Sequence, residues 1–203
     1  MSPFTDYIED MGRWEEWQRE YRFGVLLLFP PDPPLTAANC LRAEYDPPSQ
    51  ATCDAHISLT VPLPRPMDDS HWRELEAIAA AIDPIDIRYG PLMNFLPHPG
   101  VCLTIEPRDR LDRLRIALES ATIFRDASPR RHPFVPHMTI AEFITVERTL
   151  ELMENLKEIA PSGRYLCTGV SYAVPDAAFH FAERRWLRLG NASHGGIASD
   201  HRS

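Results

Sequence analysis

The chain has no apolar run approaching the roughly 20 residues that a membrane-spanning helix needs. Its longest, Val25-Leu26-Leu27-Leu28-Phe29, has the length of a buried strand. The N-terminus lacks the basic-then-apolar layout of a secretory signal and instead opens with Asp6, Tyr7, Glu9, Asp10, Trp14, Glu15, Glu16 and Trp17. An intracellular protein is therefore expected, in cytoplasm or nucleus. Cys40, Cys53, Cys102 and Cys167 are far apart and form no CxxC pair, which argues against a zinc knuckle and a redox dithiol and predicts free, mostly buried thiols. Positive charge is also short: 21 Lys and Arg against 29 Asp and Glu leave a net charge of −8. A protein that coats long RNA or DNA needs a basic face, so that mode is disfavoured. A small nucleotide or an RNA terminus needs only a few local cations.

What is present is the composition of an ordinary folded protein. The 203 residues are 44% apolar and 25% charged, enough for one domain, or for two small lobes sharing a cleft. Proline, at 20 residues, is about twice its usual share. It clusters in Pro30-Pro31-Asp32-Pro33-Pro34, Asp46-Pro47-Pro48 and Pro62-Leu63-Pro64-Arg65-Pro66, which punctuate the chain between elements.

The most informative pattern is a repeat. His56-Ile57-Ser58-Leu59 and His137-Met138-Thr139-Ile140 share the order histidine, apolar, hydroxyl, apolar, 81 residues apart. Side chains alternate faces along a strand, so His56 and Ser58 share one face while Ile57 and Leu59 anchor the other. His137 and Thr139 repeat the arrangement. Two such strands side by side present two imidazoles and two hydroxyls to one cleft, a set suited to acid–base chemistry on a phosphate.

Periodicity predicts an amphipathic N-terminal helix over residues 5–21, strands at Phe23–Phe29, His56–Leu63, Ile85–Phe95, Gly100–Glu106, Pro136–Phe143, Tyr165–Val174 and Ala178–Leu189, and helices near Leu35–Tyr45, Ser70–Ile82, Leu111–Leu118 and Thr149–Ile159. Ser70 is the expected N-cap of its helix. The order reads as an approximate duplication. It predicts an α+β, two-lobed architecture: a pseudo-twofold pair of antiparallel sheets, outer helices, and a central cleft carrying the two motifs. Residues 1–21 form an extension, 22–190 the two-lobed domain, and 191–203 a tail expected to be disordered.

These residues resemble the 2H phosphoesterase superfamily, named for two His-x-Ser/Thr-x motifs and including RNA 2′,3′-cyclic phosphodiesterases and the bacterial 2′-5′ RNA ligase proteins. Leu28-Phe29-Pro30, the segment Leu41 to Pro47, and Phe134-Val135-Pro136 ahead of His137 add to the likeness, which covers residues 22–190. It looks most like the small branch of phosphoesterases. The resemblance implies His56 and His137 as the catalytic pair, His56 as proton donor and His137 as acceptor with pseudo-symmetry permitting the reverse. It also implies Ser58 and Thr139 as phosphate-binding hydroxyls. Ser58 stands where many members have Thr, and Glu142 adds a charge that the motif does not require.

The expected activity is metal-independent opening of a 2′,3′-cyclic phosphate, or a related 2′,5′-linked or ADP-ribose cyclic phosphate, on a nucleotide or RNA end. RNA 2′,5′ end-processing or ligation, and a non-catalytic nucleotide-binding module, are the alternatives. With pKa values near 6.5, two histidines hold opposite protonation states close to neutrality, which predicts a bell-shaped pH profile. No cofactor, metal or membrane partner is expected, and the chain is expected to be monomeric. A metal site on the two histidines would need a third ligand such as Glu142 or His132. Arg42, Tyr45 and Arg131 are further candidates for the substrate's phosphate. Phe95, Phe134 and Phe143 could stack a base, since aromatic platforms bind bases without much sequence demand, but core packing is the preferred reading for each, as packing is for the stripe Trp14, Trp17 and Tyr21.

Overall fold

The computed structural model describes residues 6–190. Two four-stranded antiparallel sheets make up the body. Strands β1 (Val25–Leu28), β2 (Ile57–Ser58), β7 (Gly169–Pro175) and β8 (Phe181–Arg188) form the first, in the order β2-β1-β7-β8. Strands β3 (Ile85–Phe95), β4 (His98–Glu106), β5 (His137–Glu142) and β6 (Gly163–Cys167) form the second, in the order β5-β4-β3-β6. Each histidine motif thus lies on the edge strand of its own sheet, and β2 and β5 adjoin. The α+β, pseudo-twofold architecture expected from the repeat is what forms.

The duplication runs through both sheets. After β2 the chain passes through α3 (Asp69–Ala80) and enters the second sheet as β3; after β5 it passes through α5 (Val146–Leu156) and β6 and returns to the first sheet as β7. This exchange of central strands explains why one continuous core, including Leu26, Leu28, Ile57, Leu103, Met138 and Val170, spans both halves. β1 is buried at all four positions, as its unbroken apolar run requires of a central strand.

Helix starts follow local chemistry. Proline occupies the first turns of α1 (Pro34–Tyr45) and α2 (Pro47–Thr52), where its missing N–H costs nothing. Asp46 caps α2 by accepting from Ser49 N, and Thr145 caps α5 by accepting from Arg148 N. The cap of α3 is Asp68, which accepts from Ser70 N and His71 N, two residues before the expected Ser70. Helix α4 (Arg108–Glu119) buries Leu111, Leu114 and Leu118.

Three expectations are corrected. The N-terminal helix over 5–21 does not form: within the described part only the 3-10 turn Trp17–Tyr21 is helical, because side-chain anchors on the body replace helical pairing. Tyr7 Oη accepts from Met67 N (2.9 Å) and pairs with Tyr172 Oη (2.9 Å), and Trp14 Nε1 donates to Ala177 O (3.2 Å). The strand expected over Tyr165–Val174 is two strands in different sheets, broken at Thr168, whose carbonyl accepts from Leu189 N. The first motif's strand is only two residues long, ending where the proline-rich segment after Leu59 begins. The tail expected over 191–203 lies outside the described residues. No helix among the described residues is long and apolar enough to cross a membrane.

Candidate active site

The face alternation of the two motifs survives in three dimensions. Ile57, Leu59, Met138 and Ile140 are fully buried, while His56, Ser58, His137 and Thr139 line a single cleft of about 500 Å³ between the sheets. That volume suits a mononucleotide-sized ligand.

The two imidazoles are held in the same way. His56 Nδ1 lies 2.7 Å from Asp54 O, and His137 Nδ1 lies 2.7 Å from Val135 O, in both cases the carbonyl two residues earlier. A carbonyl can only accept, so each Nδ1 carries the proton and donates it, leaving each Nε2 for the cleft. Each ring also meets an aromatic edge: Phe29 against His56 at 6.1 Å between centroids, Phe95 against His137 at 4.9 Å. Burial draws the His56 pKa down to about 4, with the Arg42 guanidinium and His137 adding to the effect. Burial also lowers His137. The values expected near 6.5 are thus both drawn down, and both rings favour the neutral form at neutral pH.

Arg42 is buried, 2% exposed, and its guanidinium is committed to the protein. It donates to Thr139 O (2.9 Å), Ser49 O (2.7 Å), Cys53 O (3.0 Å) and Gln50 Oε1 (3.3 Å). From α1 it ties the segment before His56 to the strand carrying His137. Arg42 is among the residues that line the cleft, and each of its guanidinium nitrogens is bonded to a protein oxygen. Tyr45 is not among the cleft residues and packs against the core. Arg131 lies in an adjoining groove of about 710 Å³, which shares Ser58 and His137 with the cleft, and it pairs with Glu20 at 2.5 Å. Arg130 in the same loop donates to Leu59 O and Glu119.

A β-bulge brings in residues that alternation alone does not place. Thr139 pairs with Cys102 and Ala141 with Val101, so Ile140 is the extra residue in β5. Ile140 and Ala141 are both buried, and the reversed parity puts Glu142 on the cleft side with His137 and Thr139. Asp46 fixes this bend by accepting from Glu142 N at 2.9 Å. Burial pushes the Glu142 carboxyl up, opposed by Arg42. Of the two candidates for a metal's third ligand, Glu142 lines the cleft and His132 the adjoining groove. No group of three or more His, Cys, Asp or Glu that could hold a metal ion occurs among the described residues.

The residues read as packing divide. Phe134 is in the core and Trp14 is 4% exposed, as expected. Phe143, however, is 81% exposed, and Trp17, Tyr21 and Phe143 line the cleft together with Phe179 and Phe181. Their place depends on the positive φ of Phe143 just past β5, on the β7–β8 turn and on the docking of the N-terminal segment, none of which leaves a periodic signal.

A four-stranded pair of sheets with one His-x-Ser/Thr-x motif on each facing edge defines the 2H phosphoesterase class. Residues 30–177 match the family model described as the 2′-5′ RNA ligase superfamily, and the chain belongs to that family. It is 27% identical over 135 residues to a Bacillus cytotoxicus protein named "Putative phosphoesterase", covering 65% of this chain and 76% of that one. A Bacillus licheniformis protein of the same description is 25% identical over 139 residues, covering 67% and 79%. The fold is that of Escherichia coli LigT. The crystal structure of its complex with 3′-AMP superposes with a TM-score of 0.57 at 17% identity, covering 82% of this chain and 97% of LigT. The LigT complex with NADP+ gives 0.53 at 18%, with the same coverage.

Proposed function

We propose that the protein is a phosphodiesterase that opens a 2′,3′-cyclic phosphate on a nucleotide or RNA end by acid–base catalysis between His56 and His137. The observation that carries this reading is the matched presentation of two Nε2 atoms, each set by an Nδ1–H···O=C bond of 2.7 Å, beside two hydroxyls in one cleft.

Ring opening forms a phosphorus–oxygen bond to water and breaks the bond to one ribose oxygen. One neutral imidazole takes the water's proton; the other, as imidazolium, gives its proton to the departing oxygen. The two rings end with exchanged protonation states and reset through solvent. Ser58 and Thr139 hydroxyls donate to the non-bridging oxygens, where charge grows in the transition state. His56 is the donor and His137 the acceptor on the family likeness. Both rings have lowered pKa values, so the donor takes its proton from solvent as the anionic phosphodiester binds and its charge raises the imidazole pKa values. Protonation is thereby coupled to binding.

Phosphorus NMR of the pure protein with nucleoside 2′,3′-cyclic monophosphates, chelator present, tests this directly. Ring opening is expected, with a bell-shaped kcat/KM profile whose maximum lies below pH 6.5. No turnover of these substrates or of a cyclic-phosphate-terminated RNA, or a profile flat from pH 4 to 8, would sink the proposal.

A further inference from the structure

We propose that the N-terminal segment is part of the active site, and that Trp17 and Phe143 form a jaw that stacks the substrate's nucleobase. This rests on the proposed function and deepens it, since it assigns the ligand class of one end of the cleft to a segment outside the family match at 30–177.

Glu15, Trp17, Gln18 and Tyr21 form one wall of the cleft that holds both histidines. The wall is anchored away from the chemistry. Trp14 is buried against Phe179 (5.2 Å between centroids), Arg22 Nε donates to Ile8 O (2.8 Å), and Glu20 pairs with Arg131 of the loop leading to His137. Trp17 itself is supported at its edges. Its indole N–H donates to Glu15 (2.6 Å), and it meets Tyr21 and Phe179 edge-on at 88° and 84°. Phe143 lies 6.2 Å away between centroids, its ring plane tilted by 35° to the indole. The two rings are an aromatic pair at wide spacing, and widening by about 1 Å with closure of the tilt admits a flat heterocycle at stacking distance from both.

Backbone conformation supplies an independent observation. Among the described residues the only non-glycine positions with positive φ are Phe143 (55°) and Phe179 (66°), and both line this cleft. A bulky side chain in the left-handed region is a strained arrangement of the kind found at ligand clamps. At Phe143 the strain holds a phenyl ring 81% exposed in the cleft mouth, directly after the bulge that follows Thr139. At Phe179 it sets the ring on which Trp14 and Trp17 rest. An exposed apolar ring held against its backbone preference, beside a second ring that lines the same mononucleotide-sized cleft, fits a nucleobase. Aromatic stacking accepts any base, so no preference among the bases is required.

The test uses the full chain with Trp17→Ala, Phe143→Ala and Trp17→Phe. Calorimetric binding of 3′-AMP is measured beside turnover of adenosine 2′,3′-cyclic phosphate and of a base-free methyl riboside 2′,3′-cyclic phosphate, with thermal melting to confirm folding. Each alanine variant is expected to weaken 3′-AMP binding about tenfold and to cut the wild type's preference for the nucleoside substrate by about the same factor, with Trp17→Phe recovering most of it. Folded alanine variants that bind 3′-AMP as the wild type does, or a wild type with no preference for the base-bearing substrate, would overturn the jaw while leaving the cyclic phosphodiesterase standing. Trp17-dependent binding without any turnover would do the reverse. Absence of both would overturn both.

Discussion

The two histidine motifs reach the same chemistry from unlike frameworks. His137 is on a six-residue strand laddered to β4, paired with Thr104 and continued through Thr139. His56 precedes a strand of only two residues, whose partners are Leu27 and Leu28. What the first motif lacks in ladder it gains from helices. Ala55 N donates to Asn39 Oδ1 of α1 (2.8 Å), and Arg42 of the same helix grips Cys53 O (3.0 Å). Yet both rings end with the same bond from Nδ1 to the carbonyl two residues back and the same aromatic edge contact. The local backbone, from two residues ahead of each histidine, sets the ring orientation; the lobe sets only how firmly, and in what field, it is held.

Removing either ring is the most severe way to test this equivalence. His56→Ala and His137→Ala should each lower kcat about a thousandfold, and the double variant should fall little further, because donor and acceptor act as one unit. A single variant within tenfold of wild type would show that one lobe alone carries the chemistry. The hydroxyls should separate the lobes more gently. Thr139 is half-buried on a full strand and Ser58 is exposed on the short one, so Thr139→Val should cost kcat about a hundredfold and Ser58→Ala about tenfold. Equal losses would mean that the two hydroxyls meet the phosphate alike whatever their burial.

Arg42 links the frameworks. Its removal leaves the carbonyls of Ser49, Cys53 and Thr139 without this donor, so Arg42→Met should destabilise the fold by about 3 kcal/mol in urea unfolding. Arg42→Lys should not restore it, since an ammonium cannot reach these directions from one plane. Unfolding midpoints unchanged in the methionine variant would show that the lobes are held together without it.

The repeat was legible because period-two alternation in a half-buried strand leaves a mark on every residue. His56, Ser58, His137 and Thr139 reached the cleft as the alternation requires. Glu142 did not follow from it, because one inserted residue, Ile140, reverses the parity beyond Thr139; Phe143, which the reversed parity would turn away, reaches the cleft through its positive φ just past the strand. Arg42 was visible as a candidate, but its bonds to backbone carbonyls were not: a cation on a short helix near a phosphate site looks the same in sequence whether it meets substrate or backbone carbonyls. Trp14, Trp17 and Tyr21 have helix-like spacing, yet the segment docks through single side chains, so the spacing told of apolar character and not of a helix. The split of Tyr165–Val174 was hidden because both halves are strands, differing only in which sheet receives them.

The smallest expected effect sharpens the comparison in electrostatic terms. Both imidazoles have pKa values lowered in the folded state, His56 to about 4 against an ordinary value near 6.5. As pH falls from 6.5 toward 4 the unfolded chain takes up these protons before the folded one does, so the stability associated with the neutral rings, complete above 6.5, is progressively lost. For His56, partly open to solvent, the loss at pH 5 is about 1 kcal/mol after allowing for screening. His56→Gln removes the titrating group, so its urea midpoint should drop less than the wild type's between pH 7 and pH 5. His137→Gln should show the same sign by a smaller amount, because no Arg42 guanidinium adds to the desolvation of that ring. Saturating 3′-AMP should shrink the difference for both, since a bound phosphate favours the protonated imidazole. Identical pH-dependent drops in wild type and both variants would mean that neither ring is held neutral by the cleft, and the coupling of proton uptake to substrate binding would lose its basis.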